Sequence, residues 1–378
     1  MLIILTSSSF PLSALQDNMR PSQEKSVDSP KDVESCSINE KSVEIGHGTR
    51  SRTPRWAGLI AGLLSIVLLI AGGLHLRNDL RKMEQQGYKD AFSPFASRSS
   101  PISKRAVPTS NITLNSQWQI DLIQTLTVRN GQVTPNRTST PSVTVYDIDM
   151  FNHQNLTVVR DLQKLGMTVI CYFSSGSYEP GRPDSYKFKK SDKGNELDGW
   201  PGEYWLNLSS SNVRSIMANR IAIAANMGCN AIDPDNVDGY DNDNGLGLTK
   251  KDSISFVRFL AAEAAKYGMQ TGLKNAAAII SGVLDVVAFS VNEECVQYQE
   301  CDTFAAFPQA GKPVFNIEYP FGDRSTGDKP FSSALVSKYC DKSSSGNGGK
   351  GFNSVLKDID LDGFVQYCNG KSYITKGQ

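Results

Sequence analysis

Three times along its C-terminal part the chain repeats one order: a stretch with helical spacing, a glycine, and at once a short apolar run. The helical stretches at 156–165, 213–227 and 253–267 stop at Gly166, Gly228 and Gly268. In the second, Val213, Ile216, Met217, Arg220, Ile221 and Ala224 trace one face. A glycine there suits a left-handed helix cap, and an apolar strand directly after it makes the parallel βα unit. A fourth helical pattern covers 277–284. Apolar runs at 118–122, 143–149, 168–174, 230–236, 270–275, 286–293, 313–319 and 363–368 are the expected strands. Strands in that number close most economically as a (β/α)8 TIM barrel over 116–378; a doubly wound open sheet is the alternative.

A barrel carries its site at the C-terminal ends of its strands, and polar residues gather there. The second strand ends Asp147-Ile-Asp149, the third runs on to Glu179, Arg182 and Asp184, and the fourth ends Asp233-Pro-Asp-Asn-Val-Asp-Gly-Tyr240. Lys274-Asn275, Asn292-Glu293 and Glu318-Tyr319 close the next three. Strand side chains alternate faces, so Asp233 and Asp235 share one side. Lone acids of this kind are commonly strand caps or salt-bridge partners, but six successive strands ending alike suggest a cleft. With carboxylates in excess over Arg182 and Lys274, it would attract a cationic ligand.

Two-carboxylate chemistry is the simplest use of such a cleft, with one acid protonating a leaving oxygen while the other attacks or activates water. Asp235 and Glu293, on the fourth and sixth strands, are the candidate pair. The chain lacks a His-Glu-x-x-His motif, a Walker loop and a Gly-x-Ser-x-Gly elbow. Of three histidines only His153 falls in the barrel region, which argues against a Ser-His-Asp mechanism and a histidine-based zinc site. Pro234 and the apolar approach fit an EF-hand loop poorly. No cofactor and no metal are implied. Lys plus Arg equals Asp plus Glu at 39 each, so there is no general sign of nucleic-acid binding.

Residues 1–55 are rich in Ser, Pro and charge, a composition expected to stay disordered. Residues 56–76 hold nothing ionisable but His75; as a helix they would be about 31 Å long, matching a hydrocarbon core of about 30 Å. We expect a transmembrane signal anchor there and a stalk at 77–115. Basic residues flank the span almost equally, so the positive-inside rule decides nothing. The sequons at Asn111, Asn136, Asn155 and Asn207 all follow it, as do six of the seven cysteines. Both point to a single-pass type II protein with its barrel at the cell surface or in a lumen. Six cysteines allow fifteen pairings. Cys295 with Cys301 is the first choice for a local bridge, leaving Cys340 with Cys368 and Cys171 with Cys229; six reduced thiols are the alternative.

The stretches Tyr172-Phe-Ser-Ser-Gly-Ser-Tyr-Glu-Pro-Gly-Arg-Pro-Asp184, Trp200-Pro-Gly-Glu-Tyr-Trp205, Asp233 to Tyr240, Gly272-Leu-Lys-Asn275, Val291-Asn-Glu-Glu-Cys295 and Lys312-Pro-Val-Phe-Asn-Ile-Glu-Tyr319 resemble glycoside hydrolase family 114. The likeness runs in consistent order from about Trp118 to Cys368, and extends to membrane-anchored fungal members acting on galactosaminogalactan. It implies a (β/α)8 endo-α-1,4-polygalactosaminidase whose polysaccharide substrate carries cationic galactosamines. It also implies Asp235 as nucleophile and Glu293 as general acid/base, with retention of configuration the expected outcome. Asp149, Tyr172, Arg182, Asp184, Asp233, Asn236, Asp238, Lys274 and Glu318 would be substrate-binding. Asp233 departs from the family, which often has Glu there. The alternatives are a polysaccharide-binding barrel that has lost catalysis and a glycosidase for another amino-sugar polymer.

Overall fold

Eight strands run parallel and pair in chain order along one curled sheet: β1 (Gln117–Asp121), β2 (Val143–Asp149), β3 (Thr168–Ser174), β7 (Ala231–Asp235), β8 (Gln270–Lys274), β9 (Phe289–Glu293), β10 (Val314–Glu318) and β11 (Phe352–Leu356). The structure is a computed structural model that describes residues 112–154, 156–322, 327–340 and 352–377. The described residues lie within one compact unit, Ser99–Gln378.

The βα units form where the glycine-terminated pattern placed them. The helix Ser211–Met227 starts at Ser210, whose hydroxyl accepts from the Val213 amide, and ends at Gly228 with φ +95°. The helix Lys250–Ala265 is fixed by a reciprocal Thr249–Asp252 capping box, and Gly268 after it has φ +76°. Their apolar faces, including Ile216, Ile221, Phe256 and Leu260, pack into the same core as the strands. Inside the sheet, Trp118 meets Phe315 and Phe315 meets Phe289 at ring separations of 4.9 and 5.7 Å. Gly272 on β8 makes room for the Phe289 ring, since a Cβ there would come within 2.4 Å of it.

The eighth parallel strand is not the expected one. The run at 363–368 forms β12 (Phe364–Tyr367), antiparallel to β11 and followed by β13 (Ser372–Ile374). β11 escapes a hydropathy reading because its polar Asn353 and Ser354 are buried. They are buried because they have partners. The Trp118 indole N–H donates to the Asn353 carbonyl at 2.8 Å, the Gln117 amide to Asn353 Oδ1 at 2.9 Å, and Asn316 to Ser354 Oγ at 3.3 Å. Lys357 Nζ donates to the Ile120 carbonyl at 2.7 Å. These bonds draw β1 and β11 together, an arrangement consistent with a (β/α)8 barrel. The helical pattern at 277–284 splits into a 3-10 turn, Ala277–Ile279, and a short helix, Ile280–Val283.

Between β3 and the helix Ser211–Met227 the chain inserts a small antiparallel sheet, β4 (Ser177–Tyr178), β5 (Lys193–Glu196) and β6 (Tyr204–Leu206), ordered β4-β6-β5. Lys193 Nζ sits 3.8 Å from the Tyr178 ring centroid. No helix among the described residues is long and apolar enough to cross a membrane. The expected tail, anchor and most of the stalk (1–55, 56–76, 77–111), with Asn111 and Asn155, lie outside the described residues.

All six described cysteines are in disulfides, Cys171–Cys229, Cys295–Cys301 and Cys340–Cys368. The first ties β3 to the approach of β7, and the second closes a short loop just after Glu293. The second constrains the chain next to a strand end that matters below.

Candidate active site

The ends of β7, β8 and β9 bring three charges to one point. Lys274 Nζ lies 3.3 Å from Asp235 Oδ2 and 3.0 Å from Glu293 Oε2, so one buried ammonium bridges the two acids. Each carboxylate has further donors. The Tyr172 hydroxyl donates to Asp235 Oδ2 at 2.8 Å, and the Asn236 amide to Asp235 Oδ1 at 2.7 Å. Asn275 Nδ2 donates to Glu293 Oε2 at 3.0 Å, and the Tyr319 hydroxyl to Glu293 Oε1.

The backbone turns sharply after each of these strands. Asn236, Asn275, Ala276 and Glu294 all have positive φ, between 47° and 61°, a region non-glycine residues seldom occupy. At β7 the turn is clamped: Ser175 N, Gly176 N and Ser175 Oγ all donate to the Asp235 carbonyl. Gly176 must be glycine, because a Cβ would fall 1.7 Å from the Asn236 carbonyl oxygen. The Asp235 side chain is thus aimed by a backbone that cannot relax locally.

Electrostatics follow from burial. Burial alone would push the Glu293 carboxyl up, but Lys274, Tyr319 and Asn275 together hold it below its usual range. Lys274 is raised despite its burial, because Asp235, Glu293 and Asp233 surround it. Burial and the Asp235 charge push the Tyr172 phenol far up, so it stays a hydrogen-bond donor.

Of the residues expected at the site, Asp235, Glu293, Lys274 and Tyr172 meet directly. Asn236 joins them by its amide, and its Nδ2 donates to Ser177 Oγ at 2.8 Å. Asp238 stands at the start of the 3-10 turn Gly239–Asp241, its carboxyl pushed up to about 6 by burial and then by Asp235. Arg182 clamps Glu179 and Asp149, with an N···O distance of 2.8 Å to each.

Besides Lys274, four of the expected substrate contacts are buried. Asp149 is enclosed, capping the turn at Asn152 as well as pairing with Arg182. Asp184 forms a two-pronged pair with the fully buried Arg220, both bonds 2.8 Å. Glu318 accepts from the amides of Val296 and Gln297 at 2.8 and 3.3 Å and from Asn316. Asp233 is fully buried beneath Asp235. Asp149, Asp233 and Glu318 stand at strand ends as expected and Asp184 in the loop beyond β4, but all four side chains point to the interior; Asp149, Asp184 and Glu318 meet partners there.

Sequence reasoning overlooked Tyr319 and Asn275 as site residues. Their one signal was position, immediately after Glu318 and Lys274. It also overlooked Glu203, beside β6, whose carboxyl accepts from Ser177 at 3.4 Å and is pushed up to about 7 by burial and by Glu179. A cavity of about 520 Å³ opens nearby in sequence, lined by Glu196, Asp198, Trp200, Trp205 and Asp243 among others; the Asp235–Lys274–Glu293 cluster does not line it.

The profile of glycoside-hydrolase family GH114 matches residues 99–373, which includes every residue of this cluster. The chain belongs to that family. It is therefore a glycoside hydrolase, and among solved structures it is similar to Aspergillus fumigatus Ega3, crystallised as a complex with galactosamine. The identity is 47%, the match covers 69% of this chain and all of Ega3, and the TM-score is 0.61. The glycoside hydrolase domain of PelA from Pseudomonas aeruginosa matches at 13% identity over 69% of this chain and 98% of that one, with a TM-score of 0.47. No curated protein matches the sequence.

Proposed function

We propose that this GH114 enzyme cleaves within chains of α-1,4-linked galactosamine in a cationic, galactosaminogalactan-like exopolysaccharide, with Asp235 as nucleophile and Glu293 as acid/base. The observation that carries the reading is the single Lys274 ammonium bridging both acids at adjoining strand ends. The likeness to Ega3, seen with galactosamine, supports the amino-sugar class.

In the first step Glu293 gives its proton to the glycosidic oxygen as the bond from that oxygen to C1 breaks. Asp235 attacks C1 from the opposite face, forming a glycosyl ester. In the second, Glu293 takes a proton from water as the water oxygen bonds to C1 and Asp235 leaves. Tyr172 and the Asn236 amide orient the nucleophile; Tyr319 and Asn275 orient the acid. Two oxygens at 3.3 and 3.0 Å from one nitrogen can be no more than about 6.3 Å apart. That bound favours the closer carboxylate spacing of retaining enzymes, about 5–5.5 Å, over the about 6.5–9.5 Å of inverting ones. Since Lys274, Tyr319 and Asn275 favour the ionised form of Glu293, its acid form is gained at low pH, and turnover is expected to favour acidic conditions.

We also propose that the segment 56–76 anchors the enzyme, with 77–115 as stalk and the barrel at the cell surface. Asn136 and Asn207 turn Oδ1 to Thr138 and Ser209, and among the described residues nothing accepts from their Nδ2 atoms, the glycan-accepting ones. The test is product analysis by mass spectrometry on defined amino-sugar polymers. The expected result is galactosamine oligomers of several lengths from the wild type and none from Asp235→Asn or Glu293→Gln. Turnover of N-acetylated or glucosamine polymers alone, or binding without products, would overturn the reading.

A further inference from the structure

The cavity of about 520 Å³ beside the inserted sheet falls within the about 300–1,000 Å³ span of small-molecule sites. Its two walls come from different parts of the chain. One is the turn that joins β5 to β6; the other is the loop that follows β7, at Asn242 and Asp243. Close contacts hold the walls together. Asn195 N donates to the Asn244 carbonyl at 2.9 Å, and Asn195 Nδ2 to Asp243 Oδ1 at 3.0 Å. Gly194 permits this approach, because a Cβ there would fall 2.0 Å from the Asn244 carbonyl oxygen. The turn is equally fixed: Leu197 N donates to the Glu203 carbonyl, Glu203 N to the Trp200 carbonyl, and Gly202 N to Glu196 Oε1. The cavity is thus preformed, which lowers the cost of binding in it.

Its lining combines three features that suit one kind of ligand. Trp200 stands on the turn with 60% of its surface exposed, an indole that no core contact requires. Trp205 is only 6% exposed, yet its indole N–H donates to nothing among the described residues and is not sealed from solvent. The sliver of surface that Trp205 keeps therefore carries an unmet donor, an unfavourable arrangement until an acceptor arrives. Asp198 and Asp243 line the same space, and neither is in an ion pair among the described residues. An apolar face, a free N–H and two carboxylates fit a pyranose that carries an ammonium. Its C–H groups would lie on the Trp200 ring, a hydroxyl would accept from Trp205, and the ammonium would face the acids.

We propose that this cavity is a second subsite for a protonated amino sugar of the polysaccharide, with Trp200 as platform, Trp205 as donor, and Asp198 and Asp243 as ammonium partners. The inference deepens the proposed function and rests on it for the identity of the chain. The Asp235–Lys274–Glu293 cluster does not line the cavity, so a unit held here is not the one being cleaved. The two places are nonetheless joined. The loop that supplies Asp243 begins at Asp235. Ser177 Oγ accepts from Asn236 Nδ2 at 2.8 Å and donates to Glu203, which closes the cavity turn, at 3.4 Å. A chain long enough to span both would be gripped at the cavity while one of its bonds is cut at the cluster. Such a second grip adds affinity for long chains and nothing for those too short to reach it.

The test uses the full-length protein and α-1,4-galactosamine oligomers of graded length. Trp200→Ala should raise KM for the longest oligomer about three- to tenfold more than for the shortest one cleaved, with kcat the less affected parameter. Trp200→Phe should keep most of the preference for length, because a smaller aromatic face still stacks. In a Glu293→Gln background, binding can be measured without turnover. There, Asp198→Asn with Asp243→Asn should weaken binding of the longest oligomer about two- to tenfold, and the loss should shrink as salt is raised. Equal KM changes for long and short oligomers, or none, overturn the subsite and leave the proposed function standing. A binding loss that salt leaves unaltered overturns the ammonium assignment. Failure of the wild type to bind or cleave any galactosamine chain overturns the proposed function, and the subsite with it. Long chains that bind through Trp200 without yielding products would uphold the subsite and overturn only the cleavage.

Discussion

The C-terminal edge of the curled sheet has two unlike halves, although both end their strands in polar residues. Where β7, β8 and β9 end, Asp235 and Glu293 share the Lys274 ammonium and take donors from Tyr172, Asn275 and Tyr319. Where β10, β11 and β1 end, Glu318 accepts from the amides of Val296 and Gln297, and Lys357 donates hydrogen bonds to the carbonyls of Ile120 and Asp362 at 2.7 and 2.6 Å. In the first half, charges face charges and aromatic hydroxyls, partners that can be exchanged for those of a substrate. In the second, charges close backbone hydrogen bonds, which fixes loops and joins the ends of the sheet. An acid at a strand end of this sheet therefore declares its role through its partners, not its position.

The sharpest way to break this contrast is to exchange the roles by mutation. Asp235→Asn and Glu293→Gln are each expected to lower kcat by about a thousandfold or more, with thermal midpoints within a few degrees of the wild type. Glu318→Gln is expected to do the reverse. It should keep activity within about tenfold but cost about 1–3 kcal/mol of stability in denaturant titration, because one buried amide loses its acceptor. Equal kinetic losses in all three would erase the distinction.

Lys274→Met tests whether the two acids depend on one ammonium. Removing it leaves two neighbouring, partly buried carboxylates without their cation, which is expected to cost up to about 3–5 kcal/mol and to raise the Glu293 pKa. A loss no larger than at an exposed pair such as Arg258–Asp285, which should be about 0–1 kcal/mol, would contradict the bridge.

The smallest effect expected is in the pH dependence of stability, where the halves should differ in sign. Glu293 is held low in the fold, so it stabilises above its unfolded pKa and that stability is lost as pH falls through the folded value. Glu318 and Asp121, pushed up to about 6 chiefly by burial, bind protons more tightly in the fold. Their contribution is fully present below about pH 4 and declines as pH rises toward 6. Chemical denaturation of Glu293→Gln and Glu318→Gln across pH 3–7 should show opposite slopes relative to wild type, and parallel slopes would count against the contrast.

Much of the scaffold was legible because local signals agreed. A helical face, a left-handed glycine and an apolar run recur at Gly166, Gly228 and Gly268, and no tertiary contact has to intervene for that order to be read. β11 was not legible, since Asn353 and Ser354 are polar inside a core, and only the partners supplied by Trp118, Gln117 and Asn316 make that burial tolerable. The same limit governs the site. Alternation put Asp233 and Asp235 on one side, but not that the first would be sealed beneath the second. Nor could spacing tell that Asp184 would turn inward to Arg220, or that Tyr319 would reach across to Glu293. Such facts belong to contacts between strands far apart in sequence.

The central claim assigns the two bridged acids different jobs, nucleophile to Asp235 and acid/base to Glu293, and azide rescue separates them. In Asp235→Gly, azide should occupy the space of the missing carboxylate, attack C1 of an α-linked galactosamine oligomer and restore turnover, giving the β-glycosyl azide. The β-azide formed by Glu293→Gly in place of Asp235→Gly would reverse the assignment. Release of β-configured sugar by the wild type, read by NMR before mutarotation, would contradict the covalent step itself.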